Sequence, residues 1–100
     1  MTKVALVTGS SSGIGYETSL LLARNQFVTY ASMRNLKKGD ELMKIASQET
    51  IPLKVIELDV NDDVSVNDAI NSILKENGRI DVLVNNAGYS IFGSLEELSL

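Results

Sequence analysis

The 100-residue chain contains no cysteine, no histidine and a single proline. Without Cys or His there is no disulfide framework, no zinc site of the usual ligand set, and no thiol or imidazole catalysis. Any catalysis rests on hydroxyl, carboxylate, amide or lysine groups. Long apolar runs are also missing, and none approaches the ~18 residues a membrane-spanning helix needs. The opening run Val4-Ala5-Leu6-Val7 halts at Thr8-Gly9, too short for a secretory core of roughly 7–15 residues. No membrane partner is expected, and the cytoplasm is the default compartment. Positive charge is scarce: nine Lys and Arg stand against thirteen Asp and Glu, a formal net charge of −4. That balance argues against a nucleic-acid partner while leaving room for one local phosphate pocket.

What is present suits a globular domain. Apolar residues make up 44% of the chain, enough for one modest core and no more than one domain. Lys3 to Thr8 reads as a short buried strand, followed by the turn Gly9-Ser10-Ser11-Ser12-Gly13. Ile14 to Asn25 carries Ile14, Thr18, Leu21 and Leu22 at helical spacing. Phe27 to Met33 is dense in β-branched and aromatic residues and predicts a second strand. Arg34 to Gln48 predicts a weaker helix, with Leu42, Ile45 and Ala46 on one face and Gly39 against it.

Pro52 opens a third strand over Leu53 to Leu58. Asn61 or Asp62 then caps a helix whose apolar face is Val66, Ala69, Ile70, Ile73 and Leu74, ended by Gly78. Ile80 to Val84 is a fourth strand, Asn85 to Gly93 a loop, and a further helix starts near Leu95. Alternating strands and helices with short connections imply parallel βαβ units with right-handed crossovers. The fold class is α/β.

The segment Thr8-Gly9-Ser10-Ser11-Ser12-Gly13-Ile14-Gly15 joins a strand to a helix. Glycines at such a junction serve a tight turn, close backbone approach to a pyrophosphate, and helix–strand packing, while the helix start offers free N–H groups to phosphate. A turn required by the fold alone is the competing explanation, and its placement after the first strand favours phosphate. No Gly-Lys-Ser/Thr follows, so this is not a P-loop.

Thr8-Gly-x-x-x-Gly13-x-Gly15 resembles the cofactor motif of the classical short-chain dehydrogenase/reductase family. Leu58-Asp59-Val60, Asn85-Asn86-Ala87-Gly88 and Gly93-Ser-Leu-Glu-Glu-Leu98 fall in that family's order along the whole chain. The glycine spacing differs from the Gly-x-x-Gly-x-x-Gly of the extended, sugar-epimerase branch. The resemblance implies a Rossmann-type parallel sheet of order 3-2-1-4, helices on both faces, with residues 1–100 the N-terminal part of one NAD(P)-binding domain, truncated before the later strands.

It also implies roles for particular residues. Gly9, Gly13 and Gly15 lie beside the dinucleotide pyrophosphate, with Ile14 a backbone donor between them. Ser10, Ser11 or Ser12 reaches ribose or phosphate on the adenosine side. Asp59 contacts the adenine amino group with Val60 alongside, and Asn86, Ala87 and Gly88 line the adenosine and ribose. Thr8 and Asn85 brace the first strand against the fourth.

An NAD site usually has an acid at the end of the second strand to hold the ribose 2′-hydroxyl. Here Met33 stands at that place and Arg34 follows, with Lys37 and Lys38 nearby. A guanidinium suits a 2′-phosphate, so NADP(H) is expected over NAD(H), which stays possible. The alternative is that Arg34 begins a solvated helix face.

The family transfers hydride with a Tyr-x-x-x-Lys pair, in which the Lys lowers the pKa of the Tyr. Tyr16, Tyr30 and Tyr89 are followed four residues on by Leu20, Arg34 and Gly93. No catalytic residue is therefore assigned, and the chain is expected to be an inactive, cofactor-binding fragment of an oxidoreductase acting on a small alcohol or carbonyl compound. Standing alone, it is expected to be marginally stable or self-associating. The full-length protein is expected to be a homo-oligomer. The alternative is a non-catalytic dinucleotide-binding or regulatory module. The Tyr30-to-Leu36 stretch and the Tyr89-to-Gly93 loop resemble members acting on retinoid- or steroid-like carbonyls, although Tyr89, Ile91 and Phe92 suit a core or interface equally well. Gln26 stands where the family often has Gly. If φ is positive there, Gln costs on the order of 1 kcal/mol unless Asn25 takes the left-handed position.

Overall fold

A computed structural model describes residues 2–86. Four parallel strands, β1 (Val4–Val7), β2 (Val28–Met33), β3 (Leu53–Glu57) and β4 (Val82–Val84), form one sheet of order β3-β2-β1-β4. Three helices connect them: α1 (Gly13–Arg24), α2 (Asp40–Glu49) and α3 (Asp63–Asn77). The strand order and the helices on both faces are those expected. The helix foreseen near Leu95 lies outside the described residues.

Alternation along the strands divides the core. Val4, Leu6 and Tyr30 face α3 and meet Val66, Ala69, Ile70 and Ile73. Ala31, Met33 and Leu53 face the other way and meet Leu20 and Ala23 of α1 and Leu42 and Ala46 of α2. A strand covered on both faces reads as a near-continuous apolar run, and β1 is buried at all four positions.

The face that α1 turns to the sheet differs from the one hydropathy suggests. Ile14 and Leu21 are 73% and 62% exposed. Gly15, Ser19, Leu20 and Ala23 are buried instead. Small residues let the helix lie close to the strands, and Ser19 Oγ satisfies itself on Gly15 O at 2.8 Å. Small residues at Gly15, Ser19 and Ala23, with Leu20 between them, define this face.

The predicted helix from Arg34 is two pieces. Leu36–Gly39 is a 3₁₀ turn, capped where Asn35 Oδ1 accepts from Lys37 N–H at 3.0 Å, and α2 follows. The break has a packing reason: a Cβ at Gly39 would lie 2.6 Å from Val55 Cγ1, so only glycine lets the chain pass this close to β3. Asp62, rather than Asn61, caps α3 through Val64 and Ser65 N–H, and Gly78 closes it at φ 75°. Gln26 adopts φ 68° while Asn25 stays at −96°. The strained alternative holds at this position.

Candidate functional site

The turn between β1 and α1 lies at the C-terminal edge of the parallel sheet, beside the end of β2, the edge where open α/β sheets bind ligands. Gly9 and Gly13 both have positive φ, 63° and 61°. Gly15 is glycine for a different reason. A Cβ there would overlap Gly9 O, lie 2.9 Å from Gly9 C and 3.0 Å from Asn86 Nδ2. The turn thus folds back onto the first turn of α1.

Polar bonds fix that turn from beneath. Ser10 is fully buried: its N–H donates to Ser32 O at 3.0 Å and its Oγ donates to Val7 O at 2.8 Å. Ser19 Oγ, whose hydrogen goes to Gly15 O, lies 3.2 Å from Ser10 Oγ, and Ser32 Oγ donates to Val7 O at 3.1 Å. Ser10 therefore braces the turn with its hydroxyl directed inward, leaving Ser11 and Ser12 as the serines with surface in solvent. Asn86 Nδ2 donates to Gly9 O at 3.1 Å. The one hydroxyl hydrogen of Thr8 is shared between Asn85 Oδ1 at 3.2 Å and Val84 O at 3.4 Å, and Thr8 N–H donates to Val84 O at 3.0 Å. Thr8 and Asn85 have the bracing role expected of them. Sequence reasoning missed Ser19, Ser32 and the Asn86–Gly9 bond; the signal for Ser19 was its place one helical turn after Gly15.

The start of α1 has no side-chain cap, since Ser12 makes no bond to the helix. The N–H groups of Gly13, Ile14 and Gly15 precede the first intrahelical donor, Tyr16 N–H on Ser12 O, and carry the positive end of the helix dipole. A Cβ at Gly13 would meet nothing within 4 Å, so open space faces this end of the turn. Such a cradle suits a pyrophosphate.

Next to the turn is a cavity of about 850 Å³. Ser11, Arg34 and Asp59 all line it, three of the residues that the sequence singles out. Met33, Asn35 and Lys38 complete the β2 side, and Glu57, Asp62, Ser65 and Asp68 the side of β3 and α3. Lys37 is not among its lining residues. Asp59 is positioned on both sides: its N–H donates to Ser65 Oγ at 2.9 Å, and its Oδ1 accepts from Asn61 N–H at 3.0 Å. Val60 packs against the α3 side of the core. Ala87 and Gly88 lie outside the described residues. Among the described residues no cluster of acids or other ligands is fit to hold a metal ion.

Neither described tyrosine is placed for proton transfer. Tyr30 is buried, donates to Glu76 Oε1 at 3.2 Å and accepts from Asn77 Nδ2 at 2.8 Å. Tyr16 donates to Glu41 Oε1 at 3.1 Å, and desolvation followed by that carboxylate raises its pKa, the opposite of what a general base needs. No helix among the described residues is long and apolar enough to cross a membrane.

A parallel sheet of order 3-2-1-4, with a glycine turn and a cavity at its C-terminal edge, defines a Rossmann-type unit. The family model for short chain dehydrogenase matches residues 3–100, and the chain belongs to that family. It is 42% identical over 99 residues to estradiol 17-beta-dehydrogenase 1 of Rattus norvegicus, covering 93% of this chain and 28% of the relative. It is 43% identical over 104 residues to retinol dehydrogenase 8 of Bos taurus, covering 98% of this chain and 32% of the relative. A metagenomic short-chain oxidoreductase, solved in complex with NADP, superposes with a TM-score of 0.81 at 28% identity, covering 91% of this chain and 41% of that one. The chain thus spans less than a third of the length of these two curated relatives.

Proposed function

We propose that this chain supplies the cofactor-binding part of an NADP(H)-preferring oxidoreductase that interconverts an alcohol and a carbonyl compound. The observation that carries the reading is the meeting of Ser11, Arg34 and Asp59 on one cavity beside the uncapped start of α1. The turn of Gly9, Gly13 and Gly15 would hold the pyrophosphate, with Ile14 N–H as a donor. Ser11 and Ser12 would reach the adenosine-side ribose or phosphate, and Ser10 holds the turn in shape. Asp59 and the Val60 backbone would take the adenine, Arg34 the 2′-phosphate. Asn86, with Ala87 and Gly88 beyond it, would border the ribose. When bound, the nicotinamide gives or takes the hydride.

Arg34 supports the phosphate because it is exposed on the cavity wall, and neither it nor Lys38 forms an ion pair with any described residue. Relatives named for estradiol and retinol support an apolar substrate. Titrating the whole native protein with NADPH and with NADH, followed by cofactor fluorescence, tests the reading. Tighter binding of NADPH is expected. Equal affinities would remove the preference, and no binding of either would remove the function.

A further inference from the structure

The end of β2 has no acid, yet the cavity beside it has one close by. Met33 and Glu57 are direct partners in the parallel register of β2 and β3. Partners in such a ladder project to the same face, about 4.8 Å apart. Glu57 is exposed and lines the same cavity as Met33, Arg34 and Lys38. The carboxylate absent from the end of β2 is therefore present one strand over.

We propose that Glu57 is a cofactor-discriminating residue, a carboxylate facing the ribose 2′-position that accepts from a 2′-hydroxyl and opposes a 2′-phosphate. This rests on the cofactor reading above and extends it. Arg34 and Lys38 favour the phosphate, and Glu57 restrains that preference from the opposite wall. Glu57 makes no ion pair with either cation, so all three charges stay available to a ligand. The protein then accepts both cofactors, with a lean toward NADPH rather than strict selection.

Glu57→Gln removes the charge and keeps the shape at an exposed site. Its effect is read in the whole native protein from the dissociation constants of NADPH and NADH, together with adenosine 2′,5′-bisphosphate and 5′-AMP as probes lacking the nicotinamide. The ratio favouring the 2′-phosphorylated member of each pair should rise about tenfold, the scale of one charge contact in a partly solvated site. Asp68→Asn deletes another exposed carboxylate lining the cavity, one on α3 and not in register with the end of β2, and should move the ratio less than about twofold, because solvent screens it. An unchanged ratio in Glu57→Gln, with both wild-type cofactors binding, overturns the role of Glu57 and leaves the cofactor reading intact. An equal rise in Asp68→Asn also overturns it, since the effect would then be one of net charge. A wild-type protein that binds neither cofactor overturns both readings. An unaltered melting temperature for each variant separates these effects from a loss of fold.

Discussion

The glycine turn and the cavity beside it lie at one edge of the sheet, yet they are built on opposite principles. In the turn, position is fixed by space and by uncharged hydrogen bonds: Gly15 against Gly9, Ser10 and Ser32 on Val7 O, Asn86 on Gly9 O. In the cavity, two cations and four carboxylates line the walls from β3, α3 and the adjoining loops, all exposed but the half-buried Asp59. A backbone cradle cannot be altered by small steps, whereas a charged wall can. Under the proposed function, a single scaffold would keep its hold on the pyrophosphate constant while the ribose end is tuned.

The strongest way to break this contrast is Gly15→Ala. The added methyl must displace backbone, and overpacking of that kind costs about 3 kcal/mol. NADPH and NADH should lose affinity together, by more than tenfold, with a lower urea midpoint. A normal midpoint with selective loss of one cofactor would show that the turn, too, works by local chemistry.

Arg34→Ala probes the other side. Charged hydrogen bonds are worth about 1.5–3 kcal/mol, so NADPH should weaken about 10- to 100-fold in titrations while NADH changes less than about threefold. The melting temperature should not move, because Arg34 is exposed and has no ion pair among the described residues. Equal loss of both cofactors would remove the 2′-phosphate role, and no loss of either would make Arg34 part of the solvated face that its sequence context also allows.

The same contrast explains what the sequence made legible. The glycine turn could be read because backbone demands act on residue type at fixed spacing, and Gly9, Gly13 and Gly15 each leave such a mark. The α3 face could be read because Val66, Ala69, Ile70 and Ile73 follow the helical period. The α1 face could not, since a close approach selects small residues and leaves Ile14 and Leu21 outside. Ser10 looked like a ligand because a hydroxyl carries no sign of whether it turns inward. Glu57 went unseen because its partner Met33 is 24 residues away in sequence and adjacent only in the sheet.

A smaller effect sharpens the comparison of glycines. Gln26 holds the same left-handed backbone as Gly9 and Gly13, at the end of α1 where β1 and β2 begin. Gln26→Gly should stabilise the protein by about 0.5–1 kcal/mol, seen as a higher urea midpoint at constant slope. Cofactor affinities should not change. If they do, the turn is coupled to the far end of α1 and its geometry is less self-contained than its bonds suggest.

The smallest effect concerns the other end of the β1–β4 pair, where charge replaces the neutral Thr8 bonds. Asp81 Oδ2 accepts from Val4 N–H at 2.8 Å and from Arg79 Nε at 2.8 Å. The Arg79 guanidinium first, and the Val4 amide second, hold the Asp81 carboxyl below the ordinary carboxylate range, against the pull of burial. The unfolded chain returns this group to about 3.9. Its contribution is therefore complete above about pH 4 and is lost as pH falls through the lower folded value. Asp81→Asn should lower stability at pH 7, and the gap from wild type should narrow as urea midpoints are followed down through the acid range below about pH 4. A gap that persists in acid would mean that shape and hydrogen bonding, not charge, secure this end as well, and both ends of the pair would then be held in the manner of the glycine turn.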